Sequence, residues 1–380
     1  MRCVYFVARF VVVLRVDGLT SGTRRTRRDR MADLAMSRVT SRRELLKVGG
    51  LMAGAGLFSS VLAKDGIAGM LADPAQQTTQ QTAQQTAKQA AQSGTALPAN
   101  FVADMRAKMG AVPLQSLKLR DNLFMLYGPG GNMVALNGPD GKVLVDSSFS
   151  TVAPKLREAL AGIGSAPLKI LINTHWHFDH TDGNEAMHEA GALIVAHENT
   201  RKRLSTPQTM AAFGLHFDAA PAAAWPQQTF TDSTVLYFDN EQMHLGYFSP
   251  AHTDGDIYVQ YANGNVLHMG DIWFNGNYPL IDVSTGGTIN GMIAASDQGI
   301  KLADADTKIV PGHGPLGDKA GLTKYHDMLV TVRDRVKKQK DAGQSLAEVT
   351  AAKPTADLDA QWGNGSIKPD FFVNLVYSTL

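Results

Sequence analysis

Thr174-His175-Trp176-His177-Phe178-Asp179-His180-Thr181-Asp182 places three imidazoles and a carboxylate within six residues, His175 to His180. Just before it runs Leu168-Lys169-Ile170-Leu171-Ile172-Asn173, a mostly apolar segment of strand length that turns polar at its end. Just after it, Asp182-Gly183-Asn184-Glu185-Ala186-Met187-His188-Glu189-Ala190 has helical composition, with Asp182 as a candidate cap. The cluster therefore falls on a strand-to-helix turn, where side chains can converge on one point beyond the strand. Imidazole and carboxylate are ligands that zinc accepts readily, and a metal site needs several together. A surface loop that merely happens to be rich in histidine is the bland alternative.

The wider sequence counts against that alternative. His252 lies in Pro250-Ala251-His252-Thr253-Asp254-Gly255-Asp256, Asp271 in Met269-Gly270-Asp271, and His313 in Val310-Pro311-Gly312-His313-Gly314. Each follows an apolar, strand-like run and has glycine or proline close by, so each is expected at a strand end.

On these residues the chain resembles the metallo-β-lactamase-fold superfamily, over about residues 115 to 320. The resemblance implies an α/β protein folded as a four-layer αβ/βα sandwich, and two Zn2+ ions per chain. It implies that His175, His177 and His252 hold one metal, and that Asp179, His180 and His313 hold the second. Asp271 stands where the superfamily places a bridging aspartate or, in many true β-lactamases, a cysteine. Two divalent ions about 3.5–4 Å apart can share a hydroxide whose pKa falls to about 7, which gives a nucleophile at neutral pH. The expected chemistry is attack of that hydroxide on a polarised carbonyl of an amide or ester, a β-lactam ring among the candidates. Asp179 would be the catalytic residue that orients the hydroxide and passes its proton onward. Ligands of this type suit zinc, and iron or manganese also fit them.

Outside the motifs, charge divides the chain. Residues 1 to 63 carry twelve Lys+Arg and four Asp+Glu, +8; from the whole-chain 36 and 35, this leaves 24 and 31, or −7, for the rest. Basic residues ahead of an acidic body are the pattern of an export signal rather than of a nucleic-acid binder. Ser41-Arg42-Arg43-Glu44-Leu45-Leu46-Lys47 is a twin-arginine pattern, followed by the uncharged apolar stretch Val48 to Leu62 and by Ala63 at a candidate cleavage point. That stretch is shorter than the ~20 residues a spanning helix needs, so no stable membrane span is expected once the signal is removed. Val4 to Val16 is interrupted by Arg9 and Arg15, and residues 1 to 35 read as a start placed too early, with Met31 or Met36 as the true one. The expected location is the periplasm or the medium. Residues 64 to 100, with the Gln/Thr/Ala tract 74 to 97, have too few large apolar groups to build a core and read as a linker. The only cysteine is Cys3, so a processed chain has no disulfide and no thiolate ligand.

The catalytic domain is expected over residues 101 to 380. Strand-like runs occur at Ser116 to Leu119, Leu123 to Tyr127, Asn132 to Leu136 and Lys142 to Asp146, broken most clearly by Gly128-Pro129-Gly130-Gly131. Thr151 to Leu160 has helical spacing. A second set of strands starts near Thr234 and includes Ile257 to Tyr261, Val266 to Met269 and Lys308 to Val310. Strands separated by helices in two passes suit two sheets packed face to face with helices outside. Tyr325 to Lys340 reads as an amphipathic outer helix, and Phe371 to Val376 as a short terminal one.

His188, His197, His216, His244, His268 and His326 are isolated and take structural or solvated roles. Asp254 or Asp256 could bond the second ring nitrogen of a ligand, since metal-bound histidines usually have such a partner. Phe213 to Phe217, Trp225, and Trp273 to Pro279 are candidates to line a small-molecule pocket. Against a true β-lactamase stand Asp271 in place of cysteine and Phe274 where many of those enzymes keep a lysine; lactonases and thioesterases share the aspartate. A metallo-nuclease would need a phosphate-binding surface, which the −7 body lacks. A di-iron redox protein of this fold usually has glutamate where His177 stands. Elemental analysis separates the redox reading, and a nucleic-acid binding assay the nuclease. The oligomeric state is not legible in the sequence.

Overall fold

The structure, a computed structural model, describes Leu97 and residues 100–380. The twin-arginine leader and almost all of the linker lie outside the described residues. Helix α1 (Phe101–Ala111) leads into β1 (Gln115–Lys118), β2 (Leu123–Tyr127), β3 (Met133–Gly138) and β4 (Gly141–Val145). Then follow α2 (Ala153–Gly162), β5 (Leu168–Ile172), α3 (Phe178–Thr181), α4 (Asn184–Glu189) and β6 (Leu193–His197). After α5 (Glu198–Leu204), the hairpin β7 (Gln208–Met210) and β8 (Leu215–Phe217) stands apart, and β9 (Gln228–Phe230) completes a seven-stranded sheet in the order β1-β2-β3-β4-β5-β6-β9.

A five-stranded sheet follows, β10 (Ser233–Phe238), β11 (Glu241–Tyr247), β12 (Ile257–Tyr261), β13 (Val266–His268) and β14 (Lys308–Val310), paired in chain order. Helix α6 (Ile289–Leu302) lies between its last two strands in sequence. The chain ends in α7 (Lys319–Asp341), α8 (Leu346–Ala351), α9 (Asp359–Trp362) and α10 (Pro369–Ser378).

Alternation along the strands explains the layers. Successive residues of a strand point to opposite faces. In β3, Val134 and Leu136 join a core between the two sheets, where they meet Met243, Leu245, Ile257 and Val259. Met133 and Ala135 of the same strand instead pack outward, against Leu156 and Leu160 of α2 and Met187 of α4. The second sheet behaves likewise: Val266 and Val310 face inward, while Leu267 and Ile309 meet Met292 of α6, Leu329 of α7 and Phe372 of α10. Three apolar cores therefore separate four layers, the αβ/βα sandwich expected from the sequence. Each fully buried Leu, Ile or Phe contributes about 1.5–3 kcal/mol to this arrangement.

Strand direction then gathers the chemistry. β4, β5, β6 and β9 run parallel. β11 and β13 both pair antiparallel with β12, and β13 runs parallel to β14, so β11, β13 and β14 share one direction. The motif histidines follow the end of β5, His252 the end of β11, Asp271 the end of β13 and His313 the end of β14. Loops beyond the carboxyl ends of parallel strands are where open α/β sheets build their sites.

Two local expectations are corrected. The helix after the motif is split into α3 and α4, and Asp182 does not cap α4; its N-cap is Gly183, which makes no side-chain bond. Asp182 instead takes a bidentate contact from Arg106 of α1 at 2.8 and 2.7 Å and accepts from Ser150 Oγ at 2.7 Å. Helix α7 begins at Lys319, six residues before the expected Tyr325, because Asp318 caps it by accepting from Gly321 N at 2.8 Å.

Candidate metal centre

All seven residues predicted to hold metal come together in two groups. The ligand-type atoms of His175, His177, His252 and Asp271 lie within 4.8 Å of one another, and so do those of Asp179, His180 and His313. Asp271 touches both: its Oδ1 is 3.1 Å from His180 Nε2, and its Oδ2 is 3.3 Å from His313 Nε2, 3.5 Å from His252 Nε2 and 3.8 Å from His175 Nε2. Its carboxylate is thus within reach of both groups.

Hydrogen bonds at the back of each ring fix which nitrogen faces inward. Thr174 Oγ1 donates to Asp146 Oδ2 at 2.7 Å, so it accepts from His175 Nδ1 at 3.0 Å, and the lone pair of His175 falls on Nε2. His252 Nδ1 donates to the Leu280 carbonyl oxygen at 2.8 Å, again leaving Nε2 bare. His177 Nε2 donates to Asp282 Oδ2 at 3.1 Å, which leaves Nδ1. Two of these bare nitrogens, His252 Nε2 and His177 Nδ1, face each other at 2.9 Å with no proton to share, and His175 Nε2 is buried without a partner. Three lone pairs aimed at one point repel unless a cation lies among them. The residues present therefore fit a divalent ion.

The second group is held from the first sheet. Asp146, at the end of β4, adopts a left-handed backbone conformation (φ 63) that costs free energy outside glycine and asparagine-like residues. From there its carboxylate accepts from Thr174 N at 2.8 Å and from His180 Nδ1 at 2.8 Å, turning His180 Nε2 toward His313 at 3.3 Å. Asn132 Nδ2 donates to the carbonyl oxygens of Pro311 and Gly314, both at 2.9 Å, and so ties the His313 loop to the other sheet. Glycine is required beneath the rings: a Cβ on Gly131 would sit inside the His180 imidazole, and one on Gly312 would collide with Asp271 Oδ1.

Electrostatics separates the two groups. Burial, reinforced by the neighbouring imidazoles, pushes His175 well below the ordinary histidine range and His252 down to about 4, so both are neutral at pH 7. Burial also opposes charge on His180 and His313, but Asp271 and Asp179 outweigh it; His180 is held well above the ordinary range and His313 is raised to about 9. Burial alone would raise Asp179, yet the His180 and His313 charges hold it at about 2.

His175 and His252, both held below the ordinary histidine range, have no proton to shed at pH 7, so they add no pH dependence to metal binding from there upward. The cluster Asp179, His180, His313 must release protons, so its affinity should climb with pH up to about 9 by about tenfold per unit for each proton displaced. Zinc titration against a competing chelator at several pH values reads both; equal slopes for the two ions would contradict this difference.

Several expectations need correction. Neither Asp254 nor Asp256 touches a ligand ring: Asp254 pairs with Arg203 at 2.7 Å, and Asp256 accepts from the His252 and Thr253 backbone, both at 2.8 Å. The supports that the sequence reading missed are Asp146, Asp282 and the Leu280 carbonyl. Trp225 and Trp273 do not line the cavity beside the metal centre; Trp273 is fully buried among α7 residues, and Trp225 bonds the Ala220 carbonyl oxygen at 2.8 Å. Phe213, Leu215 and Phe274 do line it, with Phe274 stacked on His313 at 5.0 Å. The six isolated histidines stay outside both groups; His197 caps α5 and stacks on Tyr247 at 4.0 Å, and buried His268 bonds the Asn132 carbonyl oxygen at 3.0 Å.

The sequence model of the metallo-beta-lactamase superfamily matches residues 126–327. The chain belongs to that superfamily. Two curated proteins are similar at the sequence level. A hydroxyacylglutathione hydrolase of Nitrosococcus oceani is 26% identical over 185 residues, 48% of this chain and 59% of that protein, so the chain spans less than two thirds of it. A probable metallo-hydrolase of Methanocaldococcus jannaschii is 26% identical over 197 residues, 51% of this chain and 92% of that one. Among solved structures, the stereoselective inverting sec-alkylsulfatase of a Pseudomonas species shares the fold, with a TM-score of 0.55, 16% identity, and coverage of 72% of this chain and 51% of that chain. Membership of this superfamily supports a hydrolase with a His/Asp metal site. Among the described residues, no helix is long and apolar enough to cross a membrane.

Proposed function

We propose that the protein is a binuclear zinc-dependent hydrolase that cleaves an amide or ester of a small molecule, with β-lactams, lactones and thioesters as the classes to test. The observation that carries this reading is the convergence of the bare nitrogens of His175, His177 and His252 beside a carboxylate, Asp271, that also reaches His180 and His313. His175, His177 and His252 would hold one ion, Asp179, His180 and His313 the other, and Asp271 would touch both. Two divalent ions, when bound, supply an ionised water at neutral pH and an electrophile for a carbonyl oxygen.

The chain's own residues do the rest. Asp179 is the ligand carboxylate most open to the cavity, with its side chain 20% exposed, and it stays ionised; it accepts a hydrogen bond from the attacking water and hands the proton toward the leaving group. Phe274, stacked on His313, and Phe178 shield the centre from bulk water on the cavity side. Asp282 and Leu280 hold the His177 and His252 rings in the tautomers that face inward.

The test is turnover of a panel by the zinc-loaded chain: a chromogenic β-lactam, a lactone and a hydroxyacylglutathione, the last because of the relative of that name. Chelator-sensitive turnover at about 1 s⁻¹ or more on any of them supports the reading. A fully metallated protein that turns over none of these, nor simple esters, would sink it. Export by the twin-arginine route is proposed on Ser41 to Lys47 alone. Amino-terminal sequencing of protein recovered outside the cytoplasm checks it, with processing after Ala63 expected.

A further inference from the structure

The cavity beside the metal centre, about 630 Å³, lies in the range of sites that bury a small organic ligand. One wall is α1. Phe101, Met105 and Met109 recur every four residues, share one helical face and line the cavity together with His177, Asp179 and Asp271. Helix α1 buries none of its residues, and Met105 and Met109 belong to none of the apolar cores.

Polar contacts elsewhere on the helix hold it in place. Arg106 grips Asp182, Thr151 Oγ1 donates to the Arg106 carbonyl oxygen at 2.6 Å, and Lys155 Nζ donates to the carbonyl oxygens of Gly110 at 2.6 Å and Val112 at 2.9 Å. Among the described residues, the methionine face thus meets the cavity rather than an apolar core. Met210, Phe213, Leu215 and Ile367 also line the cavity. No lysine or arginine among the described residues lines the cavity; its charged side chains belong to the metal centre, and its other polar side chains are Asn277, Tyr278 and Ser366. A second anionic group on a substrate would find no cationic partner along the methionine and aromatic wall, and burying it there would cost several kcal/mol for transfer from water.

We infer that the substrate is an oxygen or sulfur ester of a long, uncharged acyl chain, seated with its carbonyl at the histidine cluster and its chain along Met105 and Met109. This rests on the hydrolase reading and narrows it. Water adds to the acyl carbon and the carbon–oxygen or carbon–sulfur bond breaks. One proton ends on the departing alcohol or thiol, and the other is released as the acid ionises. Methionine suits such a wall because its unbranched, polarisable side chain adapts to a flexible chain.

The test uses the full zinc-loaded chain and the p-nitrophenyl esters acetate, butyrate, hexanoate and decanoate. kcat/KM should rise about two- to fourfold per methylene until the cavity is filled, and the half-ester of adipate should be at least about tenfold poorer than hexanoate. Chelator-sensitive turnover with a flat or falling series, or with adipate equal to hexanoate, overturns the chain assignment and leaves the hydrolase standing. A separate binding readout is N-phenyl-1-naphthylamine fluorescence displaced by decanol. Displacement without chelator-sensitive turnover of any ester supports the apolar site, overturns the ester assignment and leaves the hydrolase reading to the β-lactam and lactone arms of the panel. Met105→Lys should lower the decanoate-to-acetate ratio of kcat/KM by about tenfold or more. An unchanged ratio in a folded, metallated variant overturns the placement along α1, and the series on the unaltered protein decides the class if that variant does not fold.

Discussion

Asp271→Ala is expected to remove hydrolytic activity and to leave the protein with no more than about one tightly held zinc ion per chain. The carboxylate is 4% exposed and stands within 3.8 Å of ring nitrogens from both ligand groups, so its loss is felt at both. Groups that only orient a ligand typically change metal affinity or activity by 10–100-fold, and a carboxylate in direct reach of both centres should exceed that, at about a thousandfold in kcat/KM. Its charge matters as much as its contacts: buried below the ordinary carboxylate range despite desolvation, it is the anion that the His313 and His180 charges stabilise. Asp271→Asn keeps the volume and one oxygen but not the charge, and it should resemble Asp271→Ala in rate. Elemental analysis with the rates measured in parallel separates lost metal from lost chemistry. Full activity with two ions retained in Asp271→Ala would refute the bridging role.

What the sequence made legible follows from how each feature is encoded. The motif His175 to His180 is local, and a ligand cluster after an apolar run is visible without knowing the fold. His252, Asp271 and His313 could be joined to it because each closes a strand-like run next to glycine or proline, and the parallel course of β5, and of β11, β13 and β14, brings those ends together. The sandwich was readable from two passes of strand runs separated by helices and from the resemblance the motif carries; alternation could not show it, because β4 and β13 are buried on both faces.

The supports were not readable. Asp282 lies 105 residues from His177, in a segment with no motif of its own. The Leu280 carbonyl is a backbone atom, which no residue type announces. Asp254 and Asp256 sit beside His252 in sequence, and proximity made them attractive, yet the loop turns their carboxylates toward Arg203 and its own backbone amides. Gly128-Pro129-Gly130-Gly131 read only as a turn, whereas the absent Cβ of Gly131 is what admits the His180 ring. The face of α1 was missed because its three apolar residues line a cavity rather than a core, leaving a weak amphipathic signal.

Asp146 shows how such a support can be tested apart from the ligands. Its fully buried carboxylate accepts Thr174 N at 2.8 Å, Thr174 Oγ1 at 2.7 Å and His180 Nδ1 at 2.8 Å, so one side chain sets the start of the motif and the orientation of its last histidine. Asp146→Ala strands two Thr174 donors in a dry interior, each worth about 1–3 kcal/mol, and places alanine in a left-handed conformation. A loss of about 3 kcal/mol or more is expected, and a melting temperature lowered by about 6–12 °C for a domain of this size. Asp146→Asn separates the two roles. Asparagine tolerates φ near 63 and its amide oxygen still accepts from Thr174, so most of the stability should remain. The charge that holds the proton on His180 Nδ1 is gone, and with it the fixed tautomer. Affinity for the ion at Asp179, His180 and His313 should therefore fall by 10–100-fold, while the ion at His175, His177 and His252 is held nearly as before. Equal weakening of both ions, or none, would show that Asp146 serves the fold alone.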